Sequence, residues 1–140
     1  MTLKELSQLY YLNREIDADR ERLSSLRASI SSPRTPSYNG MPKSPSCENM
    51  LECRISEIAE LEASIRTKLA MCIREKLRLE RYIAGIPDSY LRQIFYLRFV
   101  DGLNWVQVAH RTAGGTPDSV RMACRRYIAK SEKKENHAEA

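Results

Sequence analysis

Glycine and proline are scarce in this 140-residue chain, with 5 and 6 copies, and four of the prolines sit in one short segment. Residues that break helices are therefore confined to a few places, and those places mark boundaries. Long apolar runs are missing. No stretch of about eighteen such residues occurs, so no membrane span is expected. The opening "MTLKELSQLY" has no apolar core or small-residue cleavage site, so no secretory signal is read. The four cysteines (Cys47, Cys53, Cys72, Cys124) form no Cys-x-x-Cys pair, and only two histidines, His110 and His137, are present. That spacing offers no metal site, and a reducing cytoplasm is the default setting. Cys72 and Cys124 fall on apolar helix faces, as small hydrophobes do. No Ser/His/Asp set, carboxylate cluster or phosphate loop occurs, so neither enzyme activity, nor a cofactor, nor a small-molecule substrate is expected.

Charge is plentiful, and it is unevenly placed. The net charge is +5. Between Arg111 and Lys134 seven Arg/Lys (Arg111, Arg121, Arg125, Arg126, Lys130, Lys133, Lys134) stand against two acids (Asp118, Glu132). The remainder is neutral in sum, so the basic face belongs to this segment.

The pattern divides the chain at residues 84/85 and 131/132. From Thr2 to about Ile30, Leu9, Leu12, Ile16, Leu23, Leu26 and Ile30 recur at steps of three and four, with Asp19 as the missing member. From about Glu48 to Ala84 a second series runs Leu51, Ile55, Ile58, Glu62, Ile65, Leu69, Cys72, Lys76, Leu79, Ile83. Both are heptad seams with polar interruptions. The Ser/Pro-rich segment 31–47 between them cannot continue a helix. An antiparallel, coiled-coil-like hairpin is the simplest reading of residues 1–84. One register sets Ile30 against Leu51, Leu26 against Ile55, Leu23 against Ile58, Ile16 against Ile65, Leu12 against Leu69 and Leu9 against Cys72. It also sets Asp19 against Glu62. A slip of one heptad removes that clash, and a parallel dimer of either helix stays open. Leu6, Tyr10, Leu61, Ile73 and Leu77 remain beside the seam, which points to self-association as a homodimer. Leu9, Leu12, Ile16, Leu23, Leu26, Ile55, Ile58, Ile65 and Leu69 are the residues nominated for this helical pairing and oligomerisation.

Residues 85–131 read as a small tri-helical domain, followed by a polar tail at 132–140. "IPDSYLRQIFYLRFVDG" is a helix capped by Asp88 or Ser89, ended at Asp101-Gly102, with Leu91, Ile94, Phe95 and Phe99 on one face. In "NWVQVAH", Asn104 and Gln107 have capping-box spacing. "TAGG" then breaks the helix. Thr116-Pro117 restarts it, with Thr as N-cap and Pro at the first helical position. Two helices joined by a short glycine turn behind a third packing helix are the plan of a helix-turn-helix.

At 100° per residue with Asp118 at zero, Arg121 falls at about 300°, Met122 at about 40°, Arg125 at about 340° and Ala129 at about 20°. Val120, Cys124, Tyr127 and Ile128 cluster opposite, between about 180° and 280°, and should pack on Trp105, Val108 and Phe95. Trp105 reads as core, and His110 at a helix end needs no ligand role. Arg121 and Arg125 are then expected to meet base edges, since a guanidinium fork can bond O6 and N7 of guanine. Arg126 and Lys130 would reach phosphates. Thr116 and Ser119 could hold a phosphate at the helix start, and Asp118 could accept from cytosine or favour the positive helix end.

The stretches "LSQLYYLNREI", "YNGMPKSPS" and above all "LRFVDGLNWVQVAHRTAGGTPDSVRM" resemble phage and prophage regulators of the ArpU/RinA type, over nearly the whole chain. The resemblance implies a C-terminal helix-turn-helix similar to region four of bacterial sigma factors. It further implies double-stranded DNA as partner, control of late packaging or lysis genes with host RNA polymerase, and Asp118, Ser119, Arg121, Arg125 and Arg126 as the DNA face. With two Phe and one Trp, the chain is not expected to melt a promoter by itself. Two other classes stay open: a DNA-packaging subunit of the small-terminase kind, and an adaptor that binds polymerase without touching DNA.

Overall fold

The structure, a computed structural model, describes residues 1–32, 46–113 and 115–138, with backbone alone for 46–49. The fold is all-α, and no strand occurs among the described residues. The helices are α1 (Leu3–Leu6), α2 (Gln8–Ser31), α3 (Ser46–Ala84), α4 (Ser89–Phe95), α5 (Trp105–Thr112) and α6 (Pro117–Ala138). A π-helical turn, Tyr96–Val100, continues directly from α4. Most of the Ser/Pro segment 31–47 lies outside the described residues.

The chain forms two compact units, residues 14–70 and residues 1–13 with 71–140. In the first, α2 and α3 pair antiparallel. Among its described residues Ile16, Leu23 and Ile65 are the buried apolar ones, with Leu26, Ile58 and Leu61 half-buried. So thin a layer leaves charge to set the register. Arg22 Nη2 reaches Glu57 Oε1 at 2.6 Å, Arg54 Nη1 reaches Ser29 Oγ at 3.4 Å, and Arg27 pairs with Glu62. Lys68 Nζ bridges Asp19 (2.6 Å) and Glu15 (3.4 Å). The hydrogen bond from Lys68 to Asp19 is the largest reason its ammonium titrates above the ordinary lysine range.

This corrects the register that set Asp19 against Glu62. Each carboxylate instead faces a cation, because two buried-edge carboxylates opposite each other would repel while opposite charges attract at the same spacing. Two of the nominated apolar residues lie outside any buried layer: Ile55 is 54% exposed and Leu69 37%.

In the second unit, the capping box of α1 pairs Thr2 with Glu5, and Glu5 also receives Arg78 at 3.0 Å. Leu6, read from the sequence as an apolar residue left beside the seam for a further contact, is fully buried there. Leu9, Leu12, Cys72, Leu79, Ile83 and Ile86 are buried with it. Asp88 caps α4 by accepting from the Tyr90 N–H at 2.9 Å. Ile94, Phe95 and Phe99 then turn inward, and Leu91 stays half-buried. Phe95 is the aromatic hub: its ring lies 5.5 Å from Phe99, 5.6 Å from Tyr127 edge-on and 6.3 Å from Tyr82. Rings at such distances add about 0.5–1.5 kcal/mol per pair beyond their buried area. The π turn ends where Asp101 donates to the Tyr96 carbonyl (3.1 Å) and Gly102 takes a positive φ of 70°.

Candidate nucleic-acid interface

The site begins at α5. Asn104 and Gln107 exchange side-chain and backbone hydrogen bonds at 2.9 and 3.0 Å, completing the capping box read from the sequence. Val108 and Ala109 are buried, and Val106 faces solvent. Trp105 is half-buried rather than a core residue. The Arg98 guanidinium stacks 4.8 Å above its ring while donating to the Leu103 carbonyl at 2.7 Å. One arginine thus fixes both the Trp ring and the loop leading into α5. Nothing in the spacing of the residues signals that clamp.

The turn from α5 to α6 differs in detail from a glycine-only device. Ala113 occupies the left-handed region at φ 48°, and Gly115 has φ 107°. A left-handed alanine costs about 1 kcal/mol, and the helix ends that surround it must hold it there. Thr116 then caps α6, its Oγ1 accepting from the Ser119 N–H at 3.2 Å, with Pro117 as first helical residue.

α6 is two-sided as its periodicity requires. Val120, Cys124 and Ile128 are buried and Tyr127 is half-buried against Phe95. Burial pushes the Cys124 thiol up to about 12, an effect that Arg98 and Arg125 partly offset. The opposite side carries Met122 (41% exposed) and the exposed Arg125, Arg126 and Lys130, which form no ion pair among the described residues. Thr116, Asp118 and Ser119 are also exposed.

Arg121 departs from expectation. It is half-buried, it pairs with Asp118 at 3.0 Å, and its Nε is shielded from water with no hydrogen-bond partner. The cause is angular. The buried face of α6 is centred near 230°, so Arg121 at about 300° rides its edge, whereas Arg126 at about 80° stands nearly opposite. The outward-pointing arginine of the first turns is therefore Arg126, flanked by Arg125 and Lys130.

α6 also continues through 132–138, the segment read from composition as a polar tail. Lys133, exposed at about 60°, extends the row of Met122, Arg126 and Ala129 by one turn. The helical period run past Ser131 would have found it. Arg111, at the end of α5, lines an open groove of about 670 Å³ with Ile83, Arg92, Tyr96 and Leu97. Arg92 is committed to the Ile86 and Pro87 carbonyls at 2.6 and 3.1 Å.

Of the residues nominated for helix pairing, Leu9, Leu12, Ile16, Leu23 and Ile65 are buried within the chain, Leu26 and Ile58 half-buried, and Ile55 and Leu69 exposed. No helix among the described residues is long and apolar enough to cross a membrane, and no group of three or more His, Cys, Asp or Glu that could hold a metal occurs among them. No protein-family model matches the chain, and neither the curated proteins nor the solved structures give a match.

Proposed function

We propose that this chain is a double-stranded-DNA-binding transcription regulator whose α6 is the recognition helix. One observation carries the reading: α6 presents Arg125, Arg126 and Lys130 to solvent with no ion-pair partner among the described residues, on the side opposite Val120, Cys124 and Ile128. A helix of 10–12 Å diameter fits the major groove, and cations on its free side can reach base edges and phosphates at once. Arg126 and Arg125 are assigned to guanine edges, Lys130 and Lys133 to phosphates, and Thr116 and Ser119 to the phosphate nearest the helix start. Met122 supplies an apolar contact on the same side. Arg121 is a positioning residue, held by Asp118 until a phosphate competes for it.

The resemblance to ArpU/RinA-type regulators supports late phage or prophage genes as the setting, with host RNA polymerase as second partner. A homodimer would dock two α6 helices on two half-sites. The test is affinity for a selected operator and for random duplex. Replacing Arg126 and Arg125 by Ala, with helicity unchanged, is expected to cost about 1–3 kcal/mol per base contact and to relax sequence preference. Unchanged affinity in the doubly substituted protein refutes the assignment and leaves the polymerase-binding adaptor as the surviving class.

A further inference from the structure

The point of α6 that stands furthest from the core is apolar, although the helix carries its cations on that same side. With the buried face centred near 230°, the direction straight into solvent is about 50°. Over the N-terminal half of the helix Met122, at about 40°, lies nearest that direction, and Ala129 follows two turns later at about 20°. Met122 is 41% exposed, and no other large apolar side chain of α6 is exposed among the described residues. The line turns basic only at Lys133, about 16 Å beyond Met122.

A single exposed apolar residue is ordinary on a protein surface. Met122 is set apart by its company. Arg121 is paired with Asp118 at 3.0 Å on the edge of the buried face, which leaves the apex to the thioether. Exposed Arg125 and Arg126 flank it one turn on, at about 340° and 80°. The tip that reaches furthest out therefore lacks a strong donor or acceptor, and the donors stand to its sides.

The floor of the major groove presents polar atoms from guanine, cytosine and adenine, and one apolar group, the C5 methyl of thymine. A thioether set against the polar atoms would strip their water and return no hydrogen bond. Against the methyl it buries apolar surface on both sides, and an unbranched, flexible chain adapts to the helix tilt.

We propose that Met122 reads thymine by packing on its C5 methyl, beside the guanine assigned to Arg126. The inference rests on the DNA reading above and deepens it by naming a base. Met122 and Arg126 are four residues apart, about 6 Å along the axis, so the thymine lies within about two base-pair steps of that guanine.

The experiment is a base-by-base scan of an operator selected by the full chain from random duplex, read by fluorescence anisotropy. Each thymine is replaced in turn by deoxyuridine, which removes the methyl and keeps the base pairing. At one thymine per half-site wild type is expected to lose about fourfold in affinity, the worth of one buried methyl. Met122→Ala, with helicity checked by circular dichroism, is expected to lose about the same factor on the thymine operator and nothing further on the deoxyuridine one. Three results overturn the proposal and leave the DNA reading standing, because each is measured on a bound complex. They are a wild type indifferent to every methyl, a Met122→Ala variant that still discriminates, and a responding thymine remote from the guanine whose preference Arg126→Ala relaxes. Failure to select or bind any duplex ends both readings, and it is seen before a base is replaced.

Discussion

The unit of residues 14–70 and the unit built from residues 1–13 and 71–140 use the same ingredients in opposite ways. Among the described residues the first buries three apolar side chains, Ile16, Leu23 and Ile65, while the second buries fifteen, so shape complementarity specifies the second more than the first. The cations differ as well. Arg22, Arg27 and Lys68 are each matched with a carboxylate across the helix pair, whereas Arg125, Arg126 and Lys130 on α6 have none among the described residues. Where apolar burial is thin, charge is spent on register. Where burial is ample, charge is left for a partner.

The largest effect that can break this comparison is on stability. Phe95→Ala, at the hub of the aromatic cluster, is expected to cost about 3–5 kcal/mol in urea denaturation, and Ile65→Ala, in the thin layer, about 2 kcal/mol because water can enter beside it. Equal costs would mean that the two units are packed alike. The cation comparison is sharpened by two arginines measured in one assay. Arg126→Ala is expected to weaken DNA binding about tenfold with stability unchanged. Arg22→Ala is expected to leave DNA affinity alone and to cost under about 1 kcal/mol of stability, as a surface ion pair does.

A smaller effect concerns the turn. Ala113→Gly removes the strain of a left-handed alanine and is expected to raise thermal stability by about 1 kcal/mol. A loss instead would mean that the alanine methyl makes a contact worth more than the strain. The smallest effect is a pH dependence. The Cys124 thiol, raised from 9.0 to about 12 in the folded chain, stays protonated where the unfolded thiol ionises. Its contribution is whole below pH 9 and is lost as pH climbs toward about 12. At about pH 9.5 wild type should already have lost somewhat under 1 kcal/mol that Cys124→Ala does not lose, in urea titrations at the two pH values.

Particular residues show what could be seen beforehand. The heptads of α2 and α3, the Asn104/Gln107 box, the Thr116-Pro117 restart and the inward Val120–Cys124–Ile128 edge were legible, because each is a local pattern of one element. The helix-pair register was not, since it depends on Arg27 and Lys68 finding Glu62 and Asp19 on another helix. The Arg98–Trp105 clamp and the left-handed Ala113 were hidden for the same reason. Arg121 was read as outward although its place on the helix, about 20° from the buried Ile128, puts it on the edge of the apolar face.

The most direct measurement of the central claim is binding of duplex DNA by the full chain across a series of salt concentrations. With Lys130 and Lys133 each neutralising a phosphate, a log–log slope of about −2 per protomer is predicted, falling toward zero when Lys130 and Lys133 are replaced by Ala. Absence of binding at low salt, or a slope untouched by those replacements, would contradict it.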